Sequence, residues 1–503
     1  MSIVNTEPLK LKFEQFIKDF EHTLNVLFHK TENIDLLSLE RGLPDSVWHT
    51  IMEKNPLSVA IPSEFGGRGS SVKECLGLLA AASYESLPLS LTFGINIALF
   101  LEPVTKYAQE DVKSAIFADF LKNKKMGGLM ITEPDFGSDA LNMKTFYTEA
   151  ENSYKLKGTK HWQGLTGMAD YWLVTSRKKL PNGDLSRDID FFITDNSKAE
   201  QHINVLEYYD NLGLYMIPYG LNDIDLEVPK NQLMVGESTG IKMMLDILHR
   251  SRLQFPGMGM GFIKRMLDEG LQHCKNRMVG AGNLLSFDHV QFLLTRLQAA
   301  YTINSAMCTR SVDISGVDKN VATNGLEANA MKTVVTDLMQ ECAQIVTQLS
   351  GANGYKISNI AGRGTMDSRP FQIFEGSNEM LYSQIADTII RDMKKKKFEN
   401  LADYLAQLEL TAEATKLFKN LLDFRIDGAV IQRKQVVLGK AIALVINAGY
   451  VIKMVNKGYR EDLADACYEV IRHDIATLIN SYENRNHSSV IVDYQENSSW
   501  LAL

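Results

Sequence analysis

A chain of 503 residues is long enough for about three domains of roughly 150 residues each, or for one large enzyme with an extended core. Its 45% hydrophobic and 23% charged residues match ordinary globular usage, which excludes a disordered, collagen-like or disulfide-stapled chain. With 53 basic and 61 acidic residues the formal charge is −8, so no chain-wide positive field exists to hold nucleic acid or anionic lipid.

Cys75, Cys274, Cys308, Cys342 and Cys467 are scattered and form no C-x-x-C pair. Neither a zinc site nor a disulfide framework is encoded, no metal is expected, and a reducing cytoplasm is the expected location. The first twenty residues carry early charges and no apolar core ahead of a small-residue cleavage site, so a signal peptide is not expected. The apolar run 441–452 is interrupted by Asn447 and flanked by Lys440 and Lys453. It falls short of the roughly 20 residues a membrane span needs and predicts a buried helix rather than a transmembrane segment.

In chain order, residues 1–125 predict a helical domain, with Phe13, Ile17, Phe20, Leu24 and Leu27 recurring at helical spacing. Residues 126–236 change to short runs such as 171–175 and 189–194, separated by polar turns such as Pro181-Asn182-Gly183, which predicts an antiparallel, barrel-like β domain. Its last strand should alternate Ile224, Leu226 and Val228 inward. Residues 237–393 return to the helical period, seen at Met331, Val335, Leu338, Cys342, Val346 and Leu349, and predict a helical bundle. A basic run, Lys394 to Lys397, reads as a solvated linker into a helical extension, 394–503, the alternative being an anion or membrane patch. The order helices, strands, helices argues for a mainly α chain with a β middle block and against βαβ alternation. No G-x-G-x-x-G opens a strand-to-helix unit, so a Rossmann site has no support.

Four stretches carry candidate chemistry. Residues 131–145 place Thr132, Gly137 and Ser138 in a loop whose hydroxyls and close-approaching backbone could contact a ring edge or a phosphate, or could form an ordinary turn closed by Asp139. From Gly158 onward Trp162 stands beside glycines, either facing a flat conjugated ring or filling the β core. In 348–355, Gly351 and Gly354 end a helix, which leaves Gln348 unexplained. In 368–393, Glu375 lies among Phe371, Ile373 and Phe374, just before a helix that Ser377 or Asn378 can cap. Desolvation there would raise its pKa and suit a general base; the alternative is a surface carboxylate at a helix start, a reading that Glu379 fits better.

Taken in this order and spacing, the stretches resemble the acyl-CoA dehydrogenase family of flavoproteins. The signature T-E-P-x-x-G-S-D is matched by Thr132 to Asp139, and G-x-K-x-W by Gly158, Lys160 and Trp162, with Gln163 and Gly164 departing from the following I-T. Q-x-x-G-G-x-G-Y is matched at Gln348, Gly351, Gly354 and Tyr355 with Ala352 in place of a glycine, and Y-E-G-T-N-E by Phe374 to Glu379. The resemblance covers roughly residues 10–393 and implies an N-terminal helical domain, a β domain and a four-helix bundle, with FAD between the last two.

By that resemblance Thr132, Gly137, Ser138, Trp162 and Gly164 are expected at the flavin, together with Ser377, Asn378 and Glu379. Ser138, Arg252 and Gly376 are expected at an acyl-CoA or carrier-bound thioester. Arg277, Gln348 and Gly351 would reach the FAD of a neighbouring subunit, which implies a homodimer, and an electron acceptor such as an electron-transfer flavoprotein is implied. Glu375 becomes the base that takes the α-proton while hydride leaves the β-carbon for the flavin. Two departures stand out. Gly164 replaces a hydroxyl residue near the flavin, and Gly280 replaces an aromatic three residues after Arg277, with apolar area worth roughly 1.5–3 kcal/mol lost. A carrier-protein dehydrogenase, an acyl-thioester oxidase and a non-catalytic assembly protein on the same fold are the competing readings.

Overall fold

The computed structural model describes residues 11–426, 428–484 and 489–502. Its N-terminal longer helices are α1 (Phe13–Val26), α2 (Val72–Glu85), α3 (Leu87–Asn96) and α4 (Glu110–Lys122). In α1 Phe16, Phe20 and Leu24 are buried at four-residue spacing, the single apolar stripe of a helix packed on one side. Every residue of α3 is buried. That helix starts at Ser86, whose hydroxyl accepts from the Leu89 N–H at 3.3 Å, with Pro88 in its first turn where no donor is lost.

Strands β1 (Gly127–Met130), β2 (Phe146–Glu149), β3 (Ser153–His161), β4 (Tyr171–Lys178), β5 (Asp190–Asp195), β6 (Asn204–Tyr208) and β7 (Gly220–Pro229) form one curled seven-stranded sheet. The order is β1-β4-β2-β3-β7-β6, with β5 also on β4. Pairing is antiparallel except where β4 runs parallel to β1 and β2. β1 and β4 are separated by two other strands, the long connection that a parallel pair requires. β7 alternates as expected, with Ile224, Leu226 and Val228 buried, whereas residues 171–176 of β4 are buried on both faces.

The second helical block holds α5 (Gly240–Asn276), α6 (Asp288–Ile314), α7 (Gly325–Leu349), α8 (Ile360–Ser368) and α9 (Asn378–Lys395). Thr239 caps α5 through its hydroxyl, and α7 buries Met331, Val335, Cys342 and Val346 along one side. The helix crossings are tight: a β-carbon on Gly261 of α5 would sit 1.9 Å from the Ala80 carbonyl oxygen of α2.

Beyond these lie α10 (Ala412–Leu422), α11 (Gln432–Val455) and α12 (Glu461–Glu483). The exposed run Lys394 to Lys397 is only in part the linker the charges suggested, with Lys396 and Lys397 in the turn that leaves α9. Lys394 and Lys395 form the last turn of α9, where cations face the unpaired carbonyls of a helix C-terminus. Among the described residues two helical stretches, Leu87–Tyr107 and Gln432–Val455, are long and apolar enough to cross a membrane by length and composition, and both are mostly buried inside the protein. α11 packs along α9 so closely that a β-carbon on Gly439 would lie 1.9 Å from the Tyr382 carbonyl oxygen. Arg296 of α6 ties α12 in through Asp474 at 2.9 and 3.1 Å.

Gly439→Ala must therefore push α11 away from α9. A loss of about 1–3 kcal/mol, the usual range for overpacking, is expected in urea unfolding; an unchanged midpoint would show that the helices do not meet there.

Candidate functional site

A cleft of about 690 Å³ opens between the sheet and the α8–α9 segment. Leu212, Leu214, Tyr219, Met366, Ile373 and Phe374 make most of its wall apolar, Thr132, Gly137, Ser138, Trp162 and the 375–377 turn also line it, and Asp210, Asn211 and Arg369 add polar groups. Four separate sequence stretches meet here because β1, β3, β7 and α9 end around the same opening.

The 131–138 loop is anchored from beneath. Lys160 of β3 is fully buried, and its ammonium donates to Glu133 Oε1 at 2.8 Å, to the Ile131 carbonyl at 3.0 Å and to Thr175 Oγ1 at 3.0 Å. Glu133 also accepts from the Lys144 and Thr145 N–H groups. Burial lowers the Lys160 pKa to about 8 against the pull of Glu133. For Glu133, burial pushes upward, but Lys160 and the two amides outweigh it and hold the carboxyl below its ordinary value. Such a pair is costly to break from one side. Both residues stood inside the motifs, yet only their three-dimensional meeting shows that they hold the loop.

Trp162 is 52% exposed, so it is not β core. Its φ is +59°, its N–H donates to the Gly220 carbonyl at 3.1 Å, and its indole lies 4.6 Å from the Tyr209 ring and 6.1 Å from Tyr219. Gln163, one residue on, is buried and donates to the Thr132 carbonyl at 3.1 Å. Gly164 has no free space where a side chain would go. A β-carbon there would meet Ile95 Cδ1 at 2.7 Å and Ile217 Cγ2 at 3.3 Å, so a hydroxyl residue would need the end of the Ile95 side chain on α3 to move aside.

Glu375 sits at the cleft wall in the left-handed region, φ +53°, followed by Gly376 at +92°. That backbone is strained for a non-glycine residue, and buried groups hold it. Arg252 of α5 donates to the Glu375 carbonyl from Nε at 3.1 Å and Nη2 at 2.7 Å. Lys332 of α7 donates to the next carbonyl, of Gly376, at 2.8 Å. Ser251 Oγ donates to Glu375 Oε1 at 2.8 Å. The other carboxyl oxygen, Oε2, is buried with no hydrogen-bond partner. Burial raises the Glu375 pKa, opposed by Ser251, Arg252 and Lys332.

Arg252 lies behind the wall rather than in the cleft, with Nη1 donating to Asn329 Oδ1 at 2.8 Å. Ser377 caps α9 and lines the cleft. Asn378 turns inward: its amide donates to Asp337 Oδ1 at 2.7 Å and Thr336 Oγ1 at 2.9 Å, and its oxygen accepts from Lys332 at 2.9 Å. Glu379 is exposed in the first turn of α9, where a carboxylate favours the helix dipole. The Leu214 N–H donates to Asp367 Oδ1 at 2.6 Å, and burial raises that carboxyl to about 6.

Arg277, Gln348 and Gly351 are exposed and do not line the cleft. Gly280 has φ +61° at the tip of a hairpin pairing Met278 with Asn283 and Val279 with Gly282, a conformation that an aromatic residue adopts only with strain. Ser251, Asn329, Lys332 and the wall residues Leu212 and Tyr219 had no signal in the sequence, since none lies within a motif.

Three family models match the chain: the acyl-CoA dehydrogenase N-terminal domain over residues 29–124, the middle domain over 128–225 and the C-terminal domain over 238–390. An acyl-CoA dehydrogenase of Bacillus subtilis (strain 168) is 22% identical over 329 residues, 64% of this chain and 84% of that protein. The structure of an acyl-CoA dehydrogenase complexed with FAD from Bacillus anthracis matches with TM-score 0.75 at 18% identity, covering 94% of this chain and 87% of that one. The prolyl acyl carrier protein oxidase AnaB matches with TM-score 0.67 at 16% identity, covering 74% and 98%. The chain belongs to the acyl-CoA dehydrogenase family, whose members are FAD-dependent oxidoreductases.

Restoring the hydroxyl residue tests the packing at Gly164. Gly164→Thr alone should lower thermal stability by several degrees, and adding Ile95→Ala should recover much of that loss. Equal melting temperatures for Gly164→Thr and the unaltered protein would contradict the close contact.

Proposed function

We propose that the chain removes hydrogen from the α and β carbons of an acyl thioester, with Glu375 taking the α-proton. The observation that carries this reading is Glu375 Oε2, a buried carboxyl oxygen with no partner in an apolar cleft wall. Oε1 is fixed by Ser251, which fits Oε2 as the oxygen that receives the proton. Burial suits a base that meets a weakly acidic C–H, because a carboxylate stripped of water is more basic.

The same wall fits the family's flavin. The half-exposed Trp162 indole offers a flat face, Gly137 has open space beyond its backbone, and Thr132, Ser138 and Ser377 bring hydroxyl groups to the lining. When bound there, FAD supplies the acceptor for the β-hydride, so that the α C–H and β C–H bonds break and a carbon–carbon double bond forms. The apolar wall from Leu212 to Phe374 supports a fatty or branched acyl group as the part that fills the cleft and excludes water.

Exposure of Arg277, Gln348 and Gly351, with Met278 and Tyr355 bare beside them in the chain, supports a homodimer in which these residues reach a partner's flavin. The electrons are then passed on, an electron-transfer flavoprotein being the proposed acceptor. A non-catalytic role gains nothing from Gly164 and Gly280, since packing and hairpin geometry account for both glycines.

The test is an absorbance spectrum of the purified protein followed by anaerobic bleaching with acyl-CoA and carrier-bound thioesters. Bleaching by a CoA thioester is expected; a colourless protein that cannot be reconstituted would contradict the proposal. Glu375→Gln should keep its flavin and lose at least about 10²-fold in bleaching rate, and normal bleaching would exclude Glu375 as the base. Because only the ionised carboxylate accepts a proton, the rate should rise with pH through a midpoint above the ordinary glutamate value near 4.3; a flat profile from pH 4 to 8 would contradict the raised pKa.

A further inference from the structure

We propose that Lys332 is a positioning residue for the Glu375 base, its buried ammonium fixing the turn that aims the carboxylate and supplying positive charge on the side away from the cleft. This rests on reading Glu375 as the base. Lys332 projects from the third turn of α7 and is fully shielded from water. A buried ammonium is strongly unfavourable unless something in the structure needs the charge. Its two hydrogen-bond acceptors are neutral oxygens, the Gly376 carbonyl at 2.8 Å and Asn378 Oδ1 at 2.9 Å. A neutral donor could serve these. Burial lowers the Lys332 pKa to about 7, opposed chiefly by Glu375 and less by Asp337 and Glu379, with Arg252 adding to the lowering, so the ammonium carries its charge below neutral pH.

The geometry is a clamp. Two successive carbonyls of a left-handed turn, those of Glu375 and Gly376, rest on two buried cations from two helices, Arg252 on α5 and Lys332 on α7. Lys332 is held in turn by Asn378, whose amide is locked to Thr336 and Asp337. Arg252 is locked to Asn329, and Asn329 to Gln384 of α9 at 3.2 Å. The carboxyl at the centre is faced by Ser251 and Arg252 from α5 and by Lys332 from α7. Removing the Lys332 charge leaves Arg252 and Ser251 to favour ionisation against burial, so the carboxylate forms at higher pH.

The experiment follows exchange of the α-hydrogens of a saturated acyl-CoA with D2O, in the flavin-loaded protein without an electron acceptor, across pH 4 to 9. Lys332→Met removes both charge and donor, and Lys332→Gln removes the charge and keeps a donor. Both should retain flavin absorbance, with the exchange midpoint moved up by about one pH unit. The methionine variant should also exchange more slowly at its plateau, because the turn is loosened. An unmoved midpoint in either folded variant would overturn the proposal. Failure of both variants to fold would overturn it too, in favour of a purely structural cation. Absence of exchange in the unaltered protein, or normal exchange in Glu375→Gln, would instead defeat the reading of Glu375 as the base.

Discussion

The cleft depends on keeping one carboxyl out of water while leaving it able to ionise. Burial raises the Glu375 pKa and so disfavours the ionised form that the proposed base would need. A serine hydroxyl on one carboxyl oxygen and two cations placed behind the wall oppose that burial without cancelling it. They bind backbone carbonyls and Oε1, so Oε2 keeps its lone pairs. The strained turn at Glu375 and Gly376 is what makes this division of partners available.

Much of the surrounding fold serves to hold those groups still. α5 brings Ser251 and Arg252, α7 brings Lys332, and α9 brings the cap that ends the turn. The close crossings at Gly261 and Gly439 press α5 against α2 and α9 against α11, where backbone contacts leave no side chain to yield. On the facing side the buried Glu133–Lys160 pair fixes the loop carrying Thr132 and Ser138, and Asp367 fixes Leu214 in the wall. α11 and α12 extend the same packed block through Tyr382 and Arg296. The extension is therefore part of the framework and not an appended tail.

Local pattern made the broad organisation legible. The helical stripe of α7 and the alternation in β7 are one-dimensional signals, and the four motifs are short enough to be seen whole. Glu375 could be singled out because its apolar neighbours are also its sequence neighbours. Lys332 and Ser251 could not, because each lies on a helix far from Glu375 in the chain and looks like any polar residue on a buried face. Gly164 is the clearest case of a local reading that needed a distant residue: a missing hydroxyl looks like a loss until Ile95 is found in its place. Asn378 read as a ligand contact by its motif, yet its side chain points into the bundle, where Lys332 and Asp337 use all of its hydrogen-bonding atoms. The lysines at 394–397 divide between a final helical turn and the turn after it, since a charge run looks alike in both.

The most direct measurement is a crystal structure of the flavin-loaded protein with an unreactive acyl-thioester analogue. The account predicts the analogue's α-carbon within about 3–3.5 Å of Glu375 Oε2, with the flavin ring on the opposite face and Ser251 still bonded to Oε1. An analogue bound with its α-carbon away from Oε2, or a Glu375 side chain swung out to solvent, would contradict it.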